Sequence, residues 1–310
     1  MNRYIIGIGA ANIDIHGHSR DAINLYDSNP GKMHVSCGGV TRNILENYAR
    51  LGGESVLMTV VGDDLYGRKI IADCEESGIN CDHVQIVRGV NTSTYMDILN
   101  NTGDMVLALS DMTIMEKMTV DYLRNNDKII SGSSLIVCDP SIPEAVMDHL
   151  LATYSDRIPI FVDPVSIAYS KCIKDKIAYF HTAKPNVLEA EVLSGLKIGN
   201  REELIRAGEA IVEKGLNVVV ISLGKDGCLY CDRHGHRFYT NPEKAVVRNV
   251  TGAGDAFMAG LICSYMNGYD IDETLHLADN CARMALLSED TINKNMSLEA
   301  VNTLYRKEQE

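Results

Sequence analysis

Short apolar runs alternate along this chain with longer segments in which apolar residues recur at helical spacing. Residues 4–9, 55–61, 135–138, 160–162 and 218–221 read as buried strands. Residues 44–51, 65–76, 144–153, 202–214, 271–287 and 297–307 read as helices, as do the small and apolar residues of 256–266. Residues 227–230 and 237–240 form two further strands around a turn at His234-Gly235. The repeated strand-then-helix order predicts an α/β fold, a doubly wound and mostly parallel sheet with helices on both faces.

The rhythm changes in two places. Asn12-Ile13-Asp14-Ile15 alternates polar and apolar, so both polar side chains face one way on an extended segment. Residues 16–35 show no helix period and contain the turn Asp27-Ser28-Asn29-Pro30-Gly31-Lys32, with a short strand at 33–36 after it. Residues 92–99 and 105–109 alternate as a hairpin across Asn100-Asn101-Thr102-Gly103-Asp104. A hairpin set between α/β units does not fit easily into a parallel sheet. Residues 16–35 and 91–109 are therefore expected to form a small separate β-sheet, a lid over Asn12 and Asp14, within one domain spanning 1–310.

Ligands of doubly wound folds bind beyond the carboxyl ends of the strands. Asn12, Asp14, Asp139, Asp163, Asn186, Glu189, the loop 222–227 and the stretch 252–255 all follow predicted strands, so they should converge on one rim. The stretch Val250-Thr251-Gly252-Ala253-Gly254-Asp255-Ala256-Phe257 is the centre of that set. Its glycines open a helix whose first N–H groups lack partners and favour an anion. Asp255, one residue on, is a proton acceptor at the rim of that cradle, a combination suited to phosphoryl transfer onto an alcohol. An ordinary helix start with a capping Asp has the same spelling. Gly38-Gly39 opens a second helix, and Asn43, one turn in, faces the same place. Asn186 and Glu189 share a helix face and offer oxygens to Mg²⁺, or they form a capping box. Lys225 lies in a glycine-bounded loop, where it meets a phosphate or solvent.

Composition narrows the choices. The 310 residues carry a net charge of −13 without a Lys/Arg cluster, which argues against a nucleic acid polymer as partner. No apolar run approaches membrane-spanning length, and Asn12 and Asp14 end a brief imitation of a signal peptide. Nine scattered cysteines, an odd number, fit a reducing, cytoplasmic setting. Cys228-x-x-Cys231 has metal-ligand spacing, but a strand sends the two side chains to opposite faces. Gly7-x-Gly9-x-x-Asn12 lacks the third glycine and the helix of a dinucleotide fingerprint, and no P-loop motif is present.

Four ordered motifs together carry a resemblance: Gly38-Gly39-Val40-Thr41-Arg42-Asn43, Asn186-x-x-Glu189, Ser222-Leu223-Gly224-x-x-Gly227 and Asn249-Val250-Thr251-Gly252-Ala253-Gly254-Asp255-Ala256-Phe257. The sequence resembles the ribokinase-like (PfkB) sugar and nucleoside kinase family over nearly its whole length. Asp27-Ser28-Asn29-Pro30-Gly31-Lys32, Asn91-Thr92-Ser93-Thr94-Tyr95 and Phe161-Val162-Asp163-Pro164-Val165-Ser166 are similar to the members that phosphorylate pseudouridine. The resemblance implies Asp255 as the base for a primary hydroxyl and Gly252, Ala253 and Gly254 as the anion hole. It implies Asn12, Asp14, Gly38, Gly39 and Asn43 around the ribose. ATP would meet Asn186, Ser222, Gly224, Lys225, Gly227 and Thr251, with Asn280 near the adenine. Glu189 and Asn186 would organise Mg²⁺. The lid would cover the nucleobase and pair in a homodimer. Many relatives hold a monovalent cation beside the anion-hole loop, often with Asp where this chain has Asn249, which weakens the expectation of potassium activation. Ribose or another ribonucleoside is the alternative acceptor. A catalytically silent sensor of the same fold is a further alternative, set against an intact Asp255 and intact glycine pairs.

Overall fold

A computed structural model of the chain describes residues 3–240 and 247–307. In chain order the strands are β1 (Tyr4–Ile8), β2 (Asn12–Ser19), β3 (Gly31–Gly38), β4 (Glu54–Met58), β5 (Val60–Gly62), β6 (Ile79–Asn80), β7 (Gln85–Val87), β8 (Thr94–Leu99), β9 (Met105–Asp111), β10 (Leu135–Cys138), β11 (Ile160–Val162), β12 (Thr182–Ala183), β13 (Val218–Ser222), β14 (Cys228–Asp232) and β15 (Gly235–Tyr239). The helices are α1 (Val40–Arg50), α2 (Leu65–Glu76), α3 (Val120–Asn125), α4 (Asp127–Ser131), α5 (Glu144–Tyr154), α6 (Ile167–Ile173), α7 (Val187–Ser194), α8 (Arg201–Glu213), α9 (Ala253–Asn267), α10 (Ile271–Leu286) and α11 (Leu298–Lys307).

Nine strands form the main sheet in the order β15-β14-β13-β12-β11-β10-β1-β4-β6. Pairing is parallel from β6 to β13 and antiparallel through β14 and β15. Alternation along the strands feeds two core layers. Leu135, Val137 and Phe161 join residues of α1, α9 and α10 on one face. Ile136, Cys138, Ile160 and Val162 join residues of α5, α7 and α8 on the other. Cys228 and Cys231 fall into different layers, as their spacing in a strand requires.

The separate small sheet has the order β3-β2-β8-β9 and is larger than the predicted lid. Strand β2 begins at Asn12 and β3 runs to Gly38, so Asn12 and Asp14 are part of this sheet and not a surface beneath it. Gly31 and Lys32, read as turn, are already in β3. The run 55–61 breaks at Thr59, and β5 leaves the main sheet to pair with β7. The short elements β12, α3 and α4 carry too few residues to show a period and escaped the sequence reading.

Candidate active site

Gly252 caps α9 with φ 82° and ψ −8°, a left-handed conformation that suits glycine. A Cβ there would stand 2.1 Å from the Thr291 carbonyl oxygen. The first intrahelical bond runs from the Ala256 N–H to the Gly252 carbonyl, at 2.9 Å. The N–H groups of Ala253, Gly254 and Asp255 precede it and have no acceptor within the helix. Asp255 sits in this first turn, 9% exposed, and Asn43 Nδ2 donates to its Oδ2 at 2.9 Å. Burial pushes the Asp255 carboxyl up to about 7; the Asp163 charge adds to the rise, while the Asn43 hydrogen bond and the Lys184 ammonium oppose it. A carboxyl that titrates near neutral pH is matched to proton abstraction.

Lys184 is the neighbour that sequence reasoning passed over. It follows β12 as Asp139 follows β10 and Asp163 follows β11, and that shared strand-end position was the available signal. Its Nζ lies 3.0 Å from Asp163 Oδ2, both side chains being buried. A Cβ on Gly254 would be 3.2 Å from the same Nζ, so the ammonium stands against the start of α9. Burial alone would lower the Lys184 pKa; the charges of Asp163, Asp255 and Glu189 outweigh burial and hold it above the usual lysine range. The Asp163 loop is strained, with Val165 at φ 64° and its N–H donating to Asp163 Oδ1 at 2.9 Å.

Asn186 and Glu189 form both halves of a capping box: Asn186 Oδ1 accepts from the Glu189 N–H at 3.0 Å, and Glu189 Oε2 accepts from the Asn186 N–H at 2.9 Å. Burial raises the Glu189 carboxyl, and Asp163 adds to it. A bridge between Asn186 and Ser222 brings the start of α7 beside the end of β13. A cleft of about 770 Å³ opens there, lined by Asn186, Ser222, Leu223, Asp226 and Phe238 among others. The turn from Gly224 to Gly227 leaves Lys225 exposed. Thr251 N–H donates to Asn249 Oδ1 at 2.9 Å and Asn249 Nδ2 to the Glu289 carbonyl at 3.0 Å, which stiffens the approach to α9. Asn280 lies on α10, 1% exposed, and its Oδ1 has no partner among the described residues.

On the small sheet, Asn12 Nδ2 donates to Asp14 Oδ1 at 2.6 Å. Gly38 lies so close to this carboxylate that a Cβ would reach Asp14 Oδ2 at 2.2 Å. Burial raises the Asp14 carboxyl, against the Asn12 hydrogen bond and the charges of His16 and Arg42. Arg42 is itself buried: it donates to the Cys37 carbonyl at 3.2 Å and to Asn43 Oδ1 at 3.0 Å, and pairs with Glu46. Asp139 Oδ2 holds the junction by accepting from the Ala10 N–H and the Thr41 N–H, each at 3.2 Å, and from Thr41 Oγ1 at 2.6 Å. The start of α1 therefore joins Asp255, through Asn43, to the Asp14 wall, through Gly38. Further out, His34 Nε2 of β3 lies 3.2 Å from Asp290 Oδ1, next to the Thr291 that backs Gly252.

Residues 2–298 match the pfkB family of carbohydrate kinases. The chain belongs to that family. Pseudouridine kinase of Escherichia coli K12 is 40% identical, over 97% of this chain and 96% of its own. A solved structure from Clostridium perfringens, assigned as a sugar kinase, has TM-score 0.89 and 35% identity, covering 98% of this chain and 96% of that one. Arabidopsis thaliana ribokinase, solved with ribose and ATP, shares the fold at TM-score 0.83 and 19% identity, covering 97% of this chain and 99% of that one. This pfkB kinase is a phosphotransferase acting on a hydroxyl group. Among the described residues no helix is long and apolar enough to cross a membrane.

Proposed function

We propose that this kinase transfers the γ-phosphoryl group of ATP to the 5′-hydroxyl of pseudouridine, giving pseudouridine 5′-phosphate and ADP. The observation that carries the chemistry is the buried Asp255 carboxyl, poised near neutral pH in the amide-lined first turn of α9. The 40% identity to pseudouridine kinase supports the acceptor. Asn12, Asp14 and Asn43, with the bare backbone of Gly38 and Gly39, hold the ribose so that its 5′-carbon points to Asp255. The Asp255 carboxylate takes the hydroxyl proton as the 5′-oxygen attacks the γ-phosphorus in line, and the bond to the ADP oxygen breaks. The N–H groups of Ala253, Gly254 and Asp255, with the Lys184 ammonium, lower the energy of the charge that develops on the phosphoryl oxygens. Thr251, Ser222, Gly224, Lys225 and Gly227 line the nucleotide path, and Asn186 closes it near the phosphates.

The donor set fits Mg²⁺. Glu189 commits only Oε2 to the capping box, Asp163 lies near, and both are oxygen ligands of the kind that Mg²⁺ takes beside phosphates and water. When bound, the ion neutralises phosphate charge. The exposed apolar residues Met105, Leu107 and Leu109 on β9 and Met33 on β3 support a homodimer through the lid. An acceptor panel with ATP tests the reading: pseudouridine should give the highest kcat/KM, and a strong preference for free ribose overturns the substrate.

A further inference from the structure

The face of the small sheet that carries Asn12 and Asp14 also carries polar groups for which phosphoryl transfer has no use. By alternation β2 presents His16 on the same face as Asn12 and Asp14. Strand β8 adds Tyr95 opposite Asp14 and Asp97 opposite His16. Ile13, Ile15 and Cys37 occupy the other face, within the core. His16 Nδ1 lies 3.0 and 2.9 Å from the two Asp97 oxygens. A carboxylate only accepts, so Nδ1 carries the proton, and lone pairs remain on both oxygens. Among the described residues His16 is the only hydrogen-bonding partner of the Asp97 carboxylate. The side chains are 29% and 11% exposed, which leaves an under-used acceptor on the face of the sheet that carries Asn12 and Asp14.

Two residues along a strand advance about 6.6 Å, so the His16–Asp97 rung lies that far beyond Asp14, away from the start of α1. With a ribose on Asn12 and Asp14 and its 5′-carbon toward Asp255, a nucleobase falls on this rung. Uracil joined to ribose through N1 and uracil joined through C5 display the same edge groups at every ring position but one. Uridine has C5–H where pseudouridine has N1–H.

We propose that Asp97, steadied by its hydrogen bond from His16, selects pseudouridine over uridine by accepting the N1–H. The inference rests on the nucleoside-kinase reading above. An acceptor built for an N–H rejects the analogue that lacks it, because the acceptor is then left unpaired.

Steady-state kinetics with pseudouridine, uridine and N1-methylpseudouridine test this. In the unmodified enzyme both analogues should fall about 100-fold or more below pseudouridine in kcat/KM. Asp97→Ala should lower kcat/KM for pseudouridine by about 100-fold and raise it for uridine, which no longer leaves the acceptor unpaired, and Asp97→Asn, whose carbonyl still accepts, should lie between. Retained uridine turnover shows that the variants are folded, and the analogue comparison stands without them. Equal rates for pseudouridine and N1-methylpseudouridine, or equal losses on both nucleosides in Asp97→Ala, overturn the role of Asp97 and leave the kinase reading intact. Failure of the unmodified enzyme on pseudouridine, with turnover of another alcohol, overturns both.

Discussion

At the start of α9, Asp163, Lys184, Glu189 and Asp255 are buried and coupled by charge, with Lys184 and Asp163 in direct contact. At the lid end, the polar groups stand on a four-stranded sheet whose outer strand β9 is exposed along its length, and the His34–Asp290 contact between lid and body is half open to solvent. The first arrangement is costly to build and rigid, as a preorganised field for developing charge must be. The second is open to solvent along its edge, an arrangement that suits a cover which admits a substrate and then excludes water. On the proposed reading chemistry and selectivity sit in these two different regions, and substitutions should separate them.

The largest effect is expected from Asp255→Asn, which keeps the shape and removes the proposed base: kcat should fall by about 10³-fold, within the range for general-base catalysis, while calorimetry still detects ATP binding. Lys184→Met leaves the Asp163 carboxylate buried without its partner. Urea unfolding should register a loss of about 3–5 kcal/mol, and turnover should drop with it. Gly252→Ala forces a side chain into a left-handed position against the Thr291 carbonyl, with a strain of about 1–3 kcal/mol, and should lower kcat more than the nucleoside KM.

A gentler probe of the rigid end is pH. As the proposed base, the Asp255 carboxyl must be ionised to act, so kcat/KM should rise with pH through a midpoint near 7. Stability moves the other way. The folded state holds this proton more tightly than the unfolded chain, so the contribution is fully present below the ordinary Asp range and is lost as pH rises through about 7. Asp255→Asn should therefore gain on the parent enzyme in thermal stability between pH 5 and pH 8. The smallest effect belongs to the lid. His34→Ala removes a half-exposed contact with Asp290, so stability should change by less than about 1 kcal/mol while the KM for nucleoside rises modestly.

Most of the rigid end was legible in the sequence, because its parts are written in local terms. Gly252 precedes a helix start, Asp255 follows it, and Asn186 and Glu189 have the spacing of a capping box that the structure shows complete. Lys184 was not legible as a site residue, since a lysine before Pro185 resembles any solvated helix approach until β12 places it against Asp163. The lid was legible as a separate sheet and not in its extent. The parallel pairing of β2 with β8 joins segments about eighty residues apart in the chain, and no local period encodes it. The His16–Asp97 and His34–Asp290 contacts depend on the same long-range register.

The central claim is that the Asp255 end and the Asp14 end act on one substrate molecule. A crystal structure with pseudouridine and a non-hydrolysable ATP analogue tests it most directly. The account predicts the 5′-oxygen within about 3 Å of the Asp255 carboxylate while the ribose hydroxyls bind Asn12 and Asp14. A nucleoside bound away from either carboxylate would contradict it.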